Sequence, residues 1–133
     1  MCVKYGIKLA VIDYLQKLRA KGGHEKRTYE VGEVSGTCKS IAVHNKIAVL
    51  SAAQLNREPD KDKGRKPRMS DLADSSQIER DADTIMLLHR QDNEAGLIVA
   101  KQRDGEVGEV KLNFIGQYCQ FTSAIREQPE YTQ

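Results

Sequence analysis

Lys8-Leu9-Ala10-Val11-Ile12-Asp13 is the stretch whose reading decides the fold. One lysine leads into four apolar residues, two of them β-branched, and the run stops at an acid. A continuous apolar run of this kind suits a strand buried on both faces, as in parallel sheets covered by helices. In such sheets ligands sit outside the carboxyl ends of the strands, and Asp13 stands at that end. A carboxylate there is placed to hold Mg²⁺ directly or through water, since Mg²⁺ takes oxygen ligands and keeps several waters. The same residue also suits a helix N-cap.

A second run, Ile47-Ala48-Val49-Leu50, ends in Ser51-Ala52-Ala53-Gln54-Leu55-Asn56-Arg57. Gln54 therefore follows a strand end as Asp13 does, and it suits orienting a water or touching a phosphate oxygen. Between the runs, Val31, Val34, Cys38, Ile41 and Ala42 recur at helical spacing over Glu30 to Lys46. Gly32 and Gly36 weaken that helix by roughly 1 kcal/mol each relative to Ala. Strand, helix and strand make a βαβ unit with a right-handed crossover. Gly32 to Ser40 loosely mimics the phosphate-cradling GxxxxGK[ST] loop, but Cys38 stands where that loop needs glycine and no strand precedes it. No other stretch fits that loop.

The 133 residues suit one domain, read as 1–126, with 127–133 as a frayed tail. A formal charge of +2 leaves any basic surface local. Cys2, Cys38 and Cys119 lack metal or disulfide spacing, which fits reduced thiols and a cytoplasmic location. There is no run near the ~20 apolar residues of a membrane helix, so no membrane partner is expected.

Downstream, Leu15 to Lys21 suits a short helix or turn, and residues 22–28 a loop. Glu58 to Arg68 is a charged loop whose basic end, Arg65, Lys66 and Arg68, could meet phosphates, though such a run is more often a solvated loop. Ser70 to Asp74 offers caps for one short helix, and Ser76 for a second. Thr84 to Leu88 and Leu97 to Ala100 read as strands, with a polar turn over His89 to Glu94 between them. Asp104-Gly105 marks a tight turn. Glu109 to Phe114 alternates as a half-buried strand, and Tyr118 to Thr122 suits an edge strand.

Four of these stretches, in this order, resemble the motifs of the DnaB-type replicative helicases. Leu9 to Gln16 resembles their Walker B region, and Gln54-Leu55-Asn56-Arg57 the next motif. Pro67, Ser70-Asp71-Leu72, Ile78-Glu79 and Asp81-Ala82-Asp83 resemble the third. Ala100-Lys101-Gln102-Arg103 with Gly105 resembles the segment carrying the arginine finger. The resemblance covers about residues 6–122. It implies an α/β, partial RecA-like αβα sandwich, mainly parallel with antiparallel strands at the C-terminal side. It also implies ATP and Mg²⁺ as cofactors, with Asp13 holding the metal's water shell and Gln54 the γ-phosphate or attacking water. Lys101 and Arg103 would reach a neighbour's nucleotide in a hexameric ring, where an arginine neutralises γ-phosphoryl charge. Arg68, Asp74 and Ser76 would face a channel holding single-stranded DNA. Asp13, Gln54 and Arg103 are expected at one end of the sheet.

Two departures stand out. After Ser-Asp-Leu the family has Arg, Glu, a small residue and Gly; here Ala73, Asp74, Ser75 and Ser76 stand there, which removes a cation and a flexible backbone position. The family's Walker A loop and catalytic Glu belong ahead of these residues. In the RecA fold the Walker A strand lies beside the strand that is Ile47 to Leu50 here, so that strand's apolar edge is expected to be open. Self-association, a supplying partner such as the missing N-terminal half, or marginal stability is the expected consequence; hexameric ring neighbours or an intact helicase are the other partners the resemblance implies. Two readings follow: the C-terminal portion of an ATP-dependent replicative helicase, inactive alone, or a non-catalytic module that docks on an intact helicase ring.

Overall fold

The computed structural model describes residues 5–20, 27–56, 65–72, 75–91 and 94–124. Strand β1 (Leu9–Ile12) and strand β2 (Ala48–Ser51) pair in parallel, from Leu9 opposite Ala48 to Ile12 opposite Ser51. Helix α1 (Arg27–Asn45) joins them and completes the expected βαβ order. Val31 and Val34 of α1 are buried with Leu15 and Ile78, and Cys38 packs against that cluster. Burial raises the Cys38 thiol pKa. Ile41, on the same expected stripe, is exposed, because the helical stripe outruns the elements that cover it. The helix stops at Lys46, whose φ of 52° is left-handed, and Ile47 N–H donates to the Ala42 carbonyl.

Helix α2 (Ser75–Asp81) lies along α1. Ser76 therefore falls inside its first turn rather than capping it. The two helices approach closely at a glycine: a Cβ at Gly32 would sit 3.3 Å from the Gln77 Cβ.

Strands β3 (Thr84–Gln91), β4 (Glu94–Gln102), β5 (Gly108–Ile115) and β6 (Gln120–Ser123) form an antiparallel sheet in sequence order. Ile85 and Leu87 on β3 are buried with Leu72, and Ala53, Leu55, Met69, Ile98 and Ala100 pack around them. The expected turn over His89 to Glu94 is shorter than its sequence suggests. His89, Arg90 and Gln91 continue β3 because β4 pairs with each of them, down to Gln91 opposite Glu94. Polar residues join a strand when a neighbouring strand satisfies their backbone groups. The α/β reading holds, but among the described strands parallel pairing is confined to β1 and β2.

Burial on both faces does not hold for β1. Leu9 and Val11 are exposed, Val11 at 66%, while Ala10 and Ile12 are half-buried. Across the pair Leu50 is exposed as well. The strand is apolar all round, but the described residues cover one face.

The edge expected to be open is open. Among the described residues β2 pairs with β1 alone and β3 with β4 alone, so each has an unpaired edge. Between those edges runs a groove of about 610 Å³, lined by Val49, Leu50, Ile85 and Leu87 among others. Asp81, at the groove wall, has a buried Oδ2 with no hydrogen-bond partner among the described residues.

No helix among the described residues is long and apolar enough to cross a membrane. The expected tail, 127–133, lies outside the described residues, as do 22–26 of the expected loop after β1.

Candidate functional site

Asp13 and Gln54 stand past the carboxyl ends of paired strands. The ladder continues beyond Ile12 and Ser51: Ala52 N–H donates to the Ile12 carbonyl, and Leu15 N–H to the Ala52 carbonyl, each at 2.9 Å. That continuation holds Asp13 and Gln54 on the same rim. The Asp13–Tyr14 peptide bond is cis. Asp13 is exposed and makes no ion pair among the described residues, and no three metal-ligating side chains cluster there. One exposed carboxylate suits a metal held mainly through its waters, rather than a protein cage.

Gln54 is fixed by a residue to which no role was given from sequence. Gln16 accepts from the Gln54 N–H at 3.1 Å and donates to the Gln54 carbonyl at 3.4 Å. Its amide thus grips both backbone groups of Gln54 and leaves the Gln54 side chain at the surface. The signal in the sequence was Gln16 itself, sitting inside the first motif.

Lys101 and Arg103 lie elsewhere. Helix α1 starts near the carboxyl end of β1, where Glu30 accepts from Arg19 and from the Ala20 N–H. It ends at the amino end of β2. Along it Gly32 faces Gln77, Gly36 approaches Asp81, and Lys39 meets Asp83. Asp83 is therefore toward the amino end of the parallel pair, and Arg103 is there with it: its N–H donates to the Asp83 carbonyl at 2.9 Å and its Nη1 lies 2.8 Å from Oδ1. Lys101 Nζ donates to the Glu79 carbonyl near the end of α2. Asp13 and Gln54 come together; Arg103 does not join them, which corrects the expectation of one shared end. A group serving a neighbour's nucleotide needs no proximity to its own chain's metal acid.

Asp83 also accepts from Lys39 Nζ, at 2.7 Å on Oδ1, and chiefly this bond holds its carboxyl below the usual range.

The basic end of the charged loop is largely committed to carboxylates. Arg65 makes a two-pronged contact with Asp71, at 3.0 and 2.9 Å, and Lys66 reaches Glu109 at 2.6 Å. Asp71 is buried and also accepts from the Arg68 N–H at 2.7 Å. The Arg65 guanidinium, then the Arg68 N–H, holds the Asp71 carboxyl below its ordinary range. The Asp71 carbonyl accepts from Asn56 N–H at 2.7 Å, and Leu55 bridges Leu72. Asp71 thus ties the loop's base to the stretch after Gln54. Arg68 and Ser76 are exposed; Asp74 lies outside the described residues.

Known proteins are similar to this chain in sequence and in fold. The pattern of the family described as DnaB-like helicase C terminal domain matches residues 1–123. The chain is 38% identical over 135 residues to the "Replicative DNA helicase DnaB" of Haemophilus influenzae, covering 95% of this chain and 29% of that protein. It is 41% identical over 127 residues to the protein of the same name from Leifsonia xyli, covering 89% and 28%. Among solved structures, one described as an ATPase domain superposes with a TM-score of 0.81 at 34% identity, covering 88% of this chain and 44% of that one. Another, "The Structure Of A DnaB-Like Replicative Helicase And Its Interactions With Primase", gives the same score and identity over 88% and 30%. The chain thus spans less than a third of these curated relatives. With the family pattern running through every strand and both helices, the chain belongs to the DnaB-like helicase C-terminal domain family.

Proposed function

We propose that this chain is the C-terminal portion of a replicative DNA helicase motor, which unwinds DNA with ATP once a Walker A-bearing segment completes it. The observation that carries the reading is the shared rim of Asp13 and Gln54 at the carboxyl ends of β1 and β2, where α/β sheets bind ligands. Asp13 would hold Mg²⁺ through its waters, and Gln54, whose backbone is braced by Gln16, would orient the attacking water. Bound Mg²⁺ offsets the negative charge of the phosphates. Lys101 and Arg103 act on a neighbouring subunit's nucleotide, where their charge counters that of the transferring phosphoryl group. The exposed Arg68 and the first turn of α2 at Ser76 face single-stranded DNA, with one cation fewer than the family motif.

The groove between β2 and β3 supports the completing partner. Its occupant is a single apolar strand from the Walker A-bearing segment of such a motor. A folded second copy presents edges already joined to its own sheets, whereas the groove is bordered by an open edge on each side. The strand would pair with both open edges and give the buried Asp81 oxygen a donor.

The test mixes the chain with a separately produced Walker A-bearing segment from a family member. Mg²⁺-dependent ATP turnover that neither piece shows alone, and that Asp13→Asn abolishes, is expected. Tight ATP binding by the chain alone contradicts the reading. Inhibition of an intact ring, with no turnover from the mixture, replaces it with the docking-module reading.

A further inference from the structure

We propose that Asp83 is the positioning residue for Arg103: its carboxylate holds the guanidinium beside Lys101, and Lys39 stays on that carboxylate when Arg103 leaves. The proposal rests on the trans-finger reading above. Asp83 sits between the end of α2 and the start of β3, and it collects cations from two other elements. Arg103 comes from the end of β4 and is bound twice, through its N–H to the Asp83 carbonyl and through Nη1 to Oδ1. Lys39 comes from α1 and reaches both carboxylate oxygens.

This arrangement suits a group that must be aimed and then released. Arg103 and Asp83 are each about half exposed, at 51% and 55%, so water screens their attraction. An exposed guanidinium is lost readily to a stronger anion. With Arg103 alone, its departure would strip Asp83 of its counter-charge and oppose release. Lys39 removes that opposition, since the carboxylate keeps one cation in either state. Lys101 is steadied separately, on the Glu79 carbonyl near the negative end of α2. The two cations are thus anchored to one short helix and the residue pair that follows it, while Thr84 Oγ1 donates to Gln102 Oε1 at 2.6 Å between them.

Two measurements test this. In the chain alone, carbon NMR follows the Asp83 carboxyl through acid titration. It is expected to titrate below the usual range, and Lys39→Met and Arg103→Ala are each expected to raise it. A carboxyl that titrates normally and ignores both changes overturns the proposal. In the ring completed by a Walker A-bearing segment, Asp83→Asn is expected to lower kcat about tenfold with KM for ATP held within about twofold, because orientation acts in the transition state. Asp83→Glu should recover most of the loss, and Asp83→Asn should add nothing to Arg103→Ala. If Arg103→Ala abolishes turnover while Asp83→Asn leaves kcat unchanged, the positioning role falls and the finger reading survives. If turnover ignores Arg103→Ala, both fall.

Discussion

The parallel pair and the antiparallel sheet are built on opposite plans. Strands β1 and β2 are four residues each, and their apolar residues face open space on one side. Strands β3 and β4 run to eight and nine residues, pair along most of their length, and bury Ile85 and Leu87 against the loop residue Leu72. A two-stranded sheet is marginal in isolation, whereas three or more strands with a packed face stand alone. Within the meander β4 and β5 are paired on both edges, while β3 keeps the open edge described above. The parallel pair leads into the proposed metal acid and water-orienting glutamine, and one of its faces is left uncovered by the described residues. The rim of Asp13 and Gln54 thus belongs to the less covered part, while Lys101 and Arg103 belong to the meander.

The sharpest way to break this contrast is at the centre of the meander. Leu87 is 3% exposed, so Leu87→Ala should lower stability by about 2–5 kcal/mol in urea unfolding. A smaller loss would mean that the second core cluster is loosely packed. Next comes Asp71, which links the two regions. Its carboxyl pKa is lowered by the Arg65 guanidinium first and the Arg68 N–H second, so the folded state binds that proton less readily than the unfolded chain. Its contribution is complete above the ordinary aspartate pKa of about 3.9 and is lost as pH falls through the depressed folded value. Denaturant midpoints of the parent and Asp71→Asn should therefore differ at pH 7 and converge in strong acid.

A third test lies within the sheet. A Cβ at Gly96 would stand 2.5 Å from His89 Nε2 and 2.8 Å from Glu109 Oε1. Gly96→Ala should cost about 1 kcal/mol by overpacking, because mobile side-chain ends can withdraw. Adding His89→Ala should return part of it in the same unfolding assay. The smallest effect belongs to β1: Val11→Thr should move stability by no more than about 0.5 kcal/mol, since Val11 already faces solvent. After addition of a Walker A-bearing segment the same substitution should cost more, and equal costs would show that the segment leaves this face open.

These contrasts set what could be read beforehand. The positions of Asp13 and Gln54 past strand ends were legible from apolar runs ending in polar residues, while the roles proposed for them came from the resemblance. Helix α1 was legible from its spacing, though Ile41 shows that spacing marks a stripe and not its cover. The strand residues His89 to Gln91 were not legible, because their place depends on the facing β4 residues. Arg65 and Lys66 read as the basic end of a solvated loop that could meet phosphates; their carboxylates, Asp71 and Glu109, are chosen by the fold, and Glu109 is 43 residues from Lys66. The separation of Arg103 from Asp13 was hidden for the same reason. It follows from the direction of α2 along α1, which no local pattern encodes.

Gly32 gives that helix contact an unusual sensitivity. With no side chain at 32, α2 rests almost directly on the backbone of α1, and one methyl group would meet Gln77 at 3.3 Å. Six residues beyond Gln77 the chain reaches Asp83, from which Arg103 hangs. A shim of a few tenths of an ångström under one end of so short a rod tilts the other. The absence of a single carbon at position 32 thus works as a height adjustment for a charged group across the molecule.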